Sequence, residues 1–164
     1  AGTVALEIFE ELPEITDLVI SIGGGGLISG NTVAIKGLKP QVRVWGVETE
    51  GAATMKSAMD AGKVVNIKPT SMSRTLGAPF VAQDALTIAQ EHLEGLLIVS
   101  DKQAIEAQQL IIERTKVLPE LAASCTLAAV DTIKDRFGPD DHLVLLMCGG
   151  NESVANLVNY TKMI

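Results

Sequence analysis

Hydrophobic residues along the chain fall into two kinds of segment. Four short aliphatic runs have the length of buried strands, and the longer segments between them carry apolar residues at helical spacing. The predicted strands cover residues 18–22, 42–47, 96–99 and 143–147. The predicted helices cover residues 3–12, 27–38, 52–61, 81–92, 101–115 and 121–137, and a last helix follows residue 151. Residues 66–79 include two prolines and several hydroxyl side chains, and are predicted to be irregular.

This order of elements predicts an α/β fold in which a mostly parallel sheet carries helices on both faces. Residues 1–164 are predicted to form a single domain, because the length suits one domain and the sequence contains no linker or internal repeat. In such sheets, ligands bind beyond the carboxyl ends of the strands. A site is therefore expected in the turns after Ile22, Val47 and Met147, two of which are glycine clusters.

Composition narrows the class of protein. Hydrophobic residues make up 47% of the chain, aromatic residues make up 3%, and there are 15 glycines, which is typical of aliphatic strands joined by glycine turns. The net charge of -7 comes without a basic patch and argues against nucleic-acid binding. No apolar run has the length of a membrane span, and no signal-peptide pattern opens the chain. Cys125 and Cys148 fit no zinc spacing, which favours a reducing, cytoplasmic setting.

Four consecutive glycines follow the first predicted strand. These are Gly23, Gly24, Gly25 and Gly26. Because they have no Cβ atoms, their backbone N–H groups are open to an oxyanion, and the helix that follows adds the partial positive charge of its N-terminus. A tight strand–helix turn needs only one or two glycines. The run therefore predicts a phosphate site.

The spacing alone does not identify the phosphate compound. A P-loop ends in Gly-Lys-Ser/Thr, whereas Gly26 is followed by Leu27 and Ile28. The dinucleotide fingerprint G-x-G-x-x-G/A is nearly met by residues 24–29, with serine in the last place. Glu48 ends the second strand, where a ribose-binding carboxylate lies in dinucleotide-binding folds. On these grounds a nucleotide-binding or regulatory module of the NAD type stays open.

Several segments together resemble the fold-type II pyridoxal-phosphate (PLP) enzymes. They are Thr-Val-Ala-Leu-Glu-Ile at 3–8, Ser-Ile-Gly-Gly-Gly-Gly-Leu-Ile-Ser-Gly at 21–30, and Val-Trp-Gly-Val-Glu at 44–48. The run Cys-Gly-Gly-Asn at 148–151 matches the closing S/C-G-G-N motif of the family, so the resemblance covers essentially the whole chain. Threonine/serine dehydratases (ammonia-lyases) and serine racemase are the most similar members.

The resemblance implies PLP as the cofactor and a site for it on this chain. The four glycine N–H groups, with Leu27, would hold the PLP phosphate. Cys148, followed by Gly149, would face the pyridine nitrogen and leave it unprotonated, which favours β-elimination. Gly77 would line the cofactor and Glu120 would lie beside it. For these last two residues, an ordinary loop glycine and a first-turn helix glutamate are the alternatives.

No metal site is expected from this pattern. In metal-binding members of the family, the acid that ends the second strand is joined by an aspartate six residues later, and this chain has Thr54 there. Glu48 and the carbonyl of Ala52 alone offer too few carboxylate oxygens for a hard divalent cation. Glu48 is instead expected to cap the helix that follows Gly51.

The family's Schiff-base lysine and its substrate-carboxylate loop belong to an N-terminal half, and neither motif occurs in these 164 residues. The chain is therefore expected to be the C-terminal portion of the PLP-binding large domain, with no catalytic residue of its own and no activity alone. The resemblance implies that the whole protein converts threonine or serine into a 2-oxo acid and ammonia, and that it is a homo-oligomer. Racemase, cysteine synthase and threonine synthase activities use the same scaffold and stay open, as does a remnant without ligand.

Overall fold

The chain forms a four-stranded sheet between two layers of helices. A computed structural model describes residues 1–163. The strands are β1 (Asp17–Ser21), β2 (Arg43–Thr49), β3 (Gly95–Val99) and β4 (Leu143–Leu145). The helices are α1 (Thr3–Glu11), α2 (Gly26–Leu38), α3 (Thr54–Ala61), α4 (Gln83–His92), α5 (Asp101–Thr115), α6 (Leu121–Ile133) and α7 (Val154–Tyr160). Short 3-10 turns occur at Glu50–Ala52, Arg74–Leu76 and Lys134–Arg136.

The strands lie in the order β3-β2-β1-β4, and every neighbouring pair is parallel. Val19 of β1 lies opposite Trp45 of β2 and Leu145 of β4. The sequence order of the strands reverses at β1, so the crevice between the carboxyl ends of β1 and β4 is the place where such a sheet binds ligands. The predicted α/β fold with a parallel sheet is confirmed.

Each face of the sheet packs against its own hydrophobic cluster. In β1, Val19 faces the cluster formed with α5 and α6, whereas Leu18 and Ile20 face the cluster formed with α1 to α4. This division follows from the alternation of side chains along a strand. All five residues of β1 are buried, because helices cover both faces of the sheet as predicted. Cys125 is fully buried in the first of these clusters.

Several element boundaries differ from the sequence prediction, by four residues at most. The helix predicted over residues 52–61 begins at Thr54, after the 3-10 turn Glu50–Ala52. The helix predicted over 121–137 ends at Ile133 and continues as a 3-10 turn. The strand predicted over 143–147 ends at Leu145, because β4 pairs only with β1 and its last partner there is Val19. Ser100 and Gln103 form a capping box that opens α5.

A buried carboxylate joins the amino ends of β1 and β2. Asp17 is fully buried and accepts hydrogen bonds from Arg43 Nε at 2.7 Å, Arg43 Nη2 at 2.6 Å, Trp45 Nε1 at 2.8 Å and Thr16 Oγ1 at 2.7 Å. The hydrogen bond with Asp17 raises the pKa of Arg43. Arg43 also pairs with Asp141, which precedes β4, at 3.1 Å. The network therefore connects three neighbouring strands at the end of the sheet opposite the ligand crevice.

Candidate cofactor site

The glycine loop connects the carboxyl end of β1 to the first turn of α2. Gly25 has a φ of 93°, and a Cβ at this position would lie 2.5 Å from the Cβ of Ala85. At Gly23, a Cβ would lie 3.2 Å from the carbonyl oxygen of Thr75. The left-handed backbone and the close approach of α4 therefore require glycine at position 25, and position 23 is tightly packed.

Packing does not explain the other two glycines of the loop. A Cβ at Gly24 would make only an ordinary 3.7 Å contact with Ala78, and a Cβ at Gly26 would meet nothing within 4 Å. Among residues 1–163, no acceptor takes a hydrogen bond from the backbone N–H groups of residues 23–28, and α2 has no side-chain N-cap. Unpaired N–H groups at a helix N-terminus bind anions, so the loop offers the geometry of a phosphate site.

A cavity of about 200 Å³ opens beside the loop, at the carboxyl ends of β1 and β4. Its walls are residues 21–28, Thr75 and Leu76 of the 3-10 turn, Glu120 and Ala122 at the start of α6, and Cys148 after β4. The predicted residues Gly23, Gly24, Gly25, Gly26, Leu27, Glu120 and Cys148 therefore lie around one cavity. A larger cavity of about 510 Å³ adjoins it, and Thr75 and Glu120 line both.

Cys148 follows β4 and lies across the crevice from the end of β1. Its Sγ is 3.6 Å from Oγ of Ser21, the last residue of β1. The thiol is exposed, in contrast to the buried Cys125, whose pKa is raised to about 12 by burial. The parallel pairing of β1 with β4 is what brings the two glycine-containing motifs of the sequence together.

Glu120 is held against the second motif, and one of its carboxylate oxygens has no partner. The Glu120 backbone N–H donates to the carbonyl of Gly149 at 3.0 Å, and a Cβ on Gly149 would lie 2.5 Å from Glu120 Oε1. The side chain makes no capping hydrogen bond to α6, although Glu120 is the N-cap residue of that helix. Oε2 is buried and accepts no hydrogen bond from the described part of the chain. Helix capping therefore does not explain this glutamate.

Gly77 lies next to the cavity rather than in its wall. It follows the 3-10 turn Arg74–Leu76, and its N–H donates to the carbonyl of Arg74 at 3.0 Å. The wall in this segment is formed by Thr75 and Leu76, which the sequence interpretation did not select. Their signal was their place just before Gly77, the residue selected in this segment. Ala122, by contrast, gave no signal, because it reaches the cavity only through the packing of α6.

Glu48 performs the capping role expected of it. Its side chain is fully buried, Oε1 accepts from the N–H of Met55 at 2.7 Å, and Oε2 accepts from the N–H of Lys56 at 2.9 Å. Burial raises the pKa of Glu48 to about 7, against the opposing effect of these hydrogen bonds. Both oxygens are used inside the protein, so Glu48 does not offer the free carboxylate that a ribose would need. Ala52, the other residue considered for a metal, is also fully buried.

The residues around the smaller cavity fit the chemistry of PLP. The phosphate needs hydrogen-bond donors, which the N–H groups of residues 23–28 provide. The ring needs polar groups at its edge, and Cys148 and the unpaired Oε2 of Glu120 stand at the other side of the cavity. A buried oxygen without a partner costs about 1–3 kcal/mol, which a bound polar group removes.

Comparisons with known proteins identify the family. Residues 1–149 match the family described as "Pyridoxal-phosphate dependent enzyme". The chain therefore belongs to the PLP-dependent enzymes, and the resemblance seen in its sequence is confirmed. The family comparison and the engaged side chain of Glu48 together leave the NAD-type alternative without support.

The individual relatives that match this chain are named for two activities, ammonia-lyase and serine racemase. It is 32% identical over 155 residues to the L-threonine ammonia-lyase of Thermotoga maritima, covering 93% of this chain and 38% of that protein. It is 31% identical over 136 residues to the serine racemase of Oryza sativa subsp. indica, covering 83% of this chain and 40% of that protein. The fungal L-serine ammonia-lyase from Rhizomucor miehei superposes with a TM-score of 0.90 at 28% identity, over 98% of this chain and 54% of that one. The chain thus spans about half, or less, of the length of the curated relatives it matches.

Proposed function

We propose that this chain is the phosphate-binding portion of a PLP-dependent lyase that converts threonine or serine into a 2-oxo acid and ammonia. One observation carries the proposal. The unpaired N–H groups of the glycine loop, the thiol of Cys148 and the unpaired oxygen of Glu120 surround a single cavity at the reversal point of the sheet. Relatives named as threonine and serine ammonia-lyases support the substrate class.

The glycine loop binds and orients the cofactor. Gly23, Gly24, Gly25 and Gly26 would donate backbone hydrogen bonds to the phosphate, and Leu27 and the N-terminus of α2 would complete this contact. When bound, PLP supplies an electron sink for the α-carbon of the amino acid. A phosphate held at the carboxyl end of β1 would leave the rest of the cavity, toward Cys148, for the ring.

Cys148 and Glu120 line the other side of the cavity, where they would hold the ring. The Cys148 thiol, a weak donor, would serve as partner of the pyridine nitrogen and leave it unprotonated. Gly149, without a side chain, makes room for the Glu120 carboxylate beside Cys148. Oε2 of Glu120 would accept a hydrogen bond from a polar group of the cofactor. These two residues would tune and orient the ring but would not transfer the substrate proton.

The lysine that moves the α-proton belongs to a part of the protein upstream of Ala1. We infer this because no lysine in these residues lies in the family's S-x-K-x-R-G-like context. The isolated chain is therefore inactive, and binds PLP or phosphate only weakly. The whole protein acts as a cytoplasmic homo-oligomer. Among residues 1–163, no helix is long and apolar enough to cross a bilayer.

The experiment that tests the proposal treats the full-length protein with borohydride and maps the reduced PLP by peptide mass. An adduct on a lysine upstream of Ala1 supports the proposal. The matched variant Gly24→Ala should lose the adduct while remaining folded, because a methyl group there disturbs the phosphate contacts rather than the packing. The absence of any adduct in the wild-type protein would contradict the proposal and favour a remnant without ligand.

Serine racemase activity is the second candidate, because relatives named serine racemase match the chain nearly as well. The two activities give different products from L-serine. Incubating the full-length protein with L-serine and separating the products distinguishes them. Pyruvate and ammonia without D-serine support the lyase, whereas D-serine as the main product supports the racemase.

A further inference from the structure

The segment opposite the glycine loop has little regular structure to hold it. Thr75 and Leu76 line the cavity, and the carbonyl oxygen of Thr75 lies 3.2 Å from where a Cβ on Gly23 would be. Yet residues 66–79 contain only the 3-10 turn Arg74–Leu76. Contacts from other elements must therefore fix the distance between this wall and the glycine loop.

Asp101, the first residue of α5, provides two of these contacts. Its Oδ1 accepts a hydrogen bond from Ser71 Oγ at 2.5 Å, and its Oδ2 accepts one from the N–H of Met72 at 2.9 Å. Hydrogen bonds to an ionised carboxylate are about twice as strong as neutral ones. The carboxylate thus holds the segment at the positions three and four residues before Thr75.

Ser71 forms further hydrogen bonds, both to β2 and within its own segment. Its Oγ accepts from Oγ1 of Thr49, the last residue of β2, at 2.8 Å, and from the N–H of Ser73 at 3.0 Å. The carbonyl of Gly51 accepts from the N–H groups of Thr70 and Ser71 at 2.7 and 3.2 Å. A continuous hydrogen-bond network therefore runs from the end of β2, through Ser71, to the start of α5.

The carboxylate of Asp101 is not needed to cap α5. Ser100 and Gln103 form a complete capping box at the start of this helix. Asp84, in the first turn of α4, has the same charge at a helix N-terminus, but it is exposed and makes no side-chain hydrogen bond to the described residues. The two aspartates are a matched pair for comparison. Both interact favourably with the dipole of their helix, but only Asp101 forms hydrogen bonds to the segment that leads into the cavity wall.

We propose that Asp101 is a positioning residue for the cofactor site: through Ser71 and Met72 it sets the distance between the Thr75–Leu76 wall and the phosphate-binding glycine loop. The inference rests on the proposed function of that loop. It places control of the site in a residue that does not contact the cofactor. Because the wall meets the loop at Gly23, loss of the Asp101 hydrogen bonds widens the phosphate end of the cavity and leaves the Cys148 end unchanged.

The test compares binding of two probes, PLP and pyridoxal, to the full-length protein by fluorescence titration. Pyridoxal has the same ring without the phosphate. We expect Asp101→Ala to weaken PLP binding about tenfold and pyridoxal binding much less. Asp101→Asn, which can keep an acceptor for Met72, should restore part of the PLP affinity. Asp84→Asn, the charge-matched control, should bind both probes like the wild-type protein.

Ser71→Ala provides a second route to the same result. If Ser71 and Asp101 act as one unit, the double variant should lose no more PLP affinity than Asp101→Ala alone. Should Asp101→Ala not fold, Ser71→Ala and Asp101→Asn still give the ratio of PLP to pyridoxal affinity. An unchanged ratio in the variants, or equal losses for both probes, would overturn the inference. Failure of the wild-type protein to bind PLP would instead overturn the proposed function itself, and the inference with it.

Discussion

At the amino ends of the strands, Asp17 is fully buried and accepts four hydrogen bonds. At the carboxyl ends of β1 and β4, the N–H groups of residues 23–28 and Oε2 of Glu120 have no acceptor or donor among residues 1–163. The same sheet thus carries a fully paired polar network at one end and an unpaired one at the other. Burying a polar group without a partner costs free energy, so the unpaired end indicates binding rather than stability.

Polar groups are also fully paired at one part of the carboxyl end of the sheet, so the two ends of the sheet do not differ uniformly. At the carboxyl end of β2, Glu48 accepts from the N–H groups of Met55 and Lys56, and Thr49 donates to Ser71. The unpaired N–H groups of residues 23–28 and Oε2 of Glu120 lie instead around the cavity where β1 and β4 meet, at the reversal of the strand order. The comparison therefore predicts that substitutions of the paired carboxylates Asp17 and Glu48 change the free energy of unfolding. Substitutions at the unpaired site should change ligand affinity.

The largest effect on stability is expected from Asp17→Ala. The change removes the acceptor of the buried Trp45 Nε1 and leaves Arg43 paired with Asp141 alone, which should lower the free energy of unfolding by about 2–4 kcal/mol. Chemical denaturation followed by circular dichroism measures this loss. The control is Asp60→Ala, which breaks the exposed i,i+4 pair with Lys56 and should cost less than about 0.5 kcal/mol. Similar losses in the two variants would show that the Asp17 network is not a main source of stability.

Glu48 predicts a pH dependence of stability. Its pKa in the folded protein is about 7, above the ordinary value of 4.5, so folding takes up a proton between these values. The free energy of unfolding should therefore be highest below pH 4.5 as far as Glu48 is concerned, and fall by up to about 3 kcal/mol as the pH rises to 7. Denaturation curves of the wild-type protein and Glu48→Gln across this range isolate the effect. If the pKa of Glu48 were ordinary, the free energies of unfolding of the two proteins would differ by the same amount at every pH in this range.

Substitutions in the glycine loop should distinguish glycines needed for the stability of the fold from glycines needed for PLP affinity. Gly25→Ala should destabilise the fold by about 1–3 kcal/mol, because alanine is strained at a φ of 93° and its methyl group meets Ala85. Gly26→Ala should change stability by less than about 0.5 kcal/mol, since its methyl group meets nothing within 4 Å. It should nevertheless weaken PLP binding at least about tenfold, because the methyl group enters the phosphate site.

The control for this series is Gly37→Ala, in the same helix and equally free of contacts. Alanine there should stabilise the protein by about 0.5–1 kcal/mol and leave PLP binding unchanged. Thermal unfolding and PLP titration of the three variants give both quantities. If Gly26→Ala bound PLP as tightly as Gly37→Ala, the unpaired N–H groups of the loop would not be a phosphate site.

The sequence predicted elements better than it predicted contacts. The alternation of short apolar runs with longer segments of helical spacing predicted four strands and both layers of helices. This pattern is plain because the sheet is buried on both faces, so that its strands are continuous apolar runs. The errors of the prediction lie at the first and last residues of elements. At β4, for example, the boundary depends on how far the strand pairs with β1, which the sequence of β4 does not record. The two glycine-containing motifs meet at one cavity, as expected for turns at the carboxyl ends of parallel strands. The hydrogen bonds of Asp17 with Trp45 and of Asp101 with Ser71 join residues 28 and 30 positions apart, and no local pattern records them.

Glu120 and Gly149 test how the unpaired end is assembled. A methyl group on Gly149 would lie 2.5 Å from Glu120 Oε1, which is the far end of a flexible side chain and can move. Gly149→Ala should therefore cost less than about 1 kcal/mol of stability but displace the carboxylate from the cavity. PLP affinity, measured by titration, should fall as much as in Glu120→Ala. The double variant should then show no further loss, because the two residues act through one contact. Additive losses would mean instead that Gly149 and Glu120 serve the cofactor separately, and that the unpaired oxygen is not held in place by its neighbour.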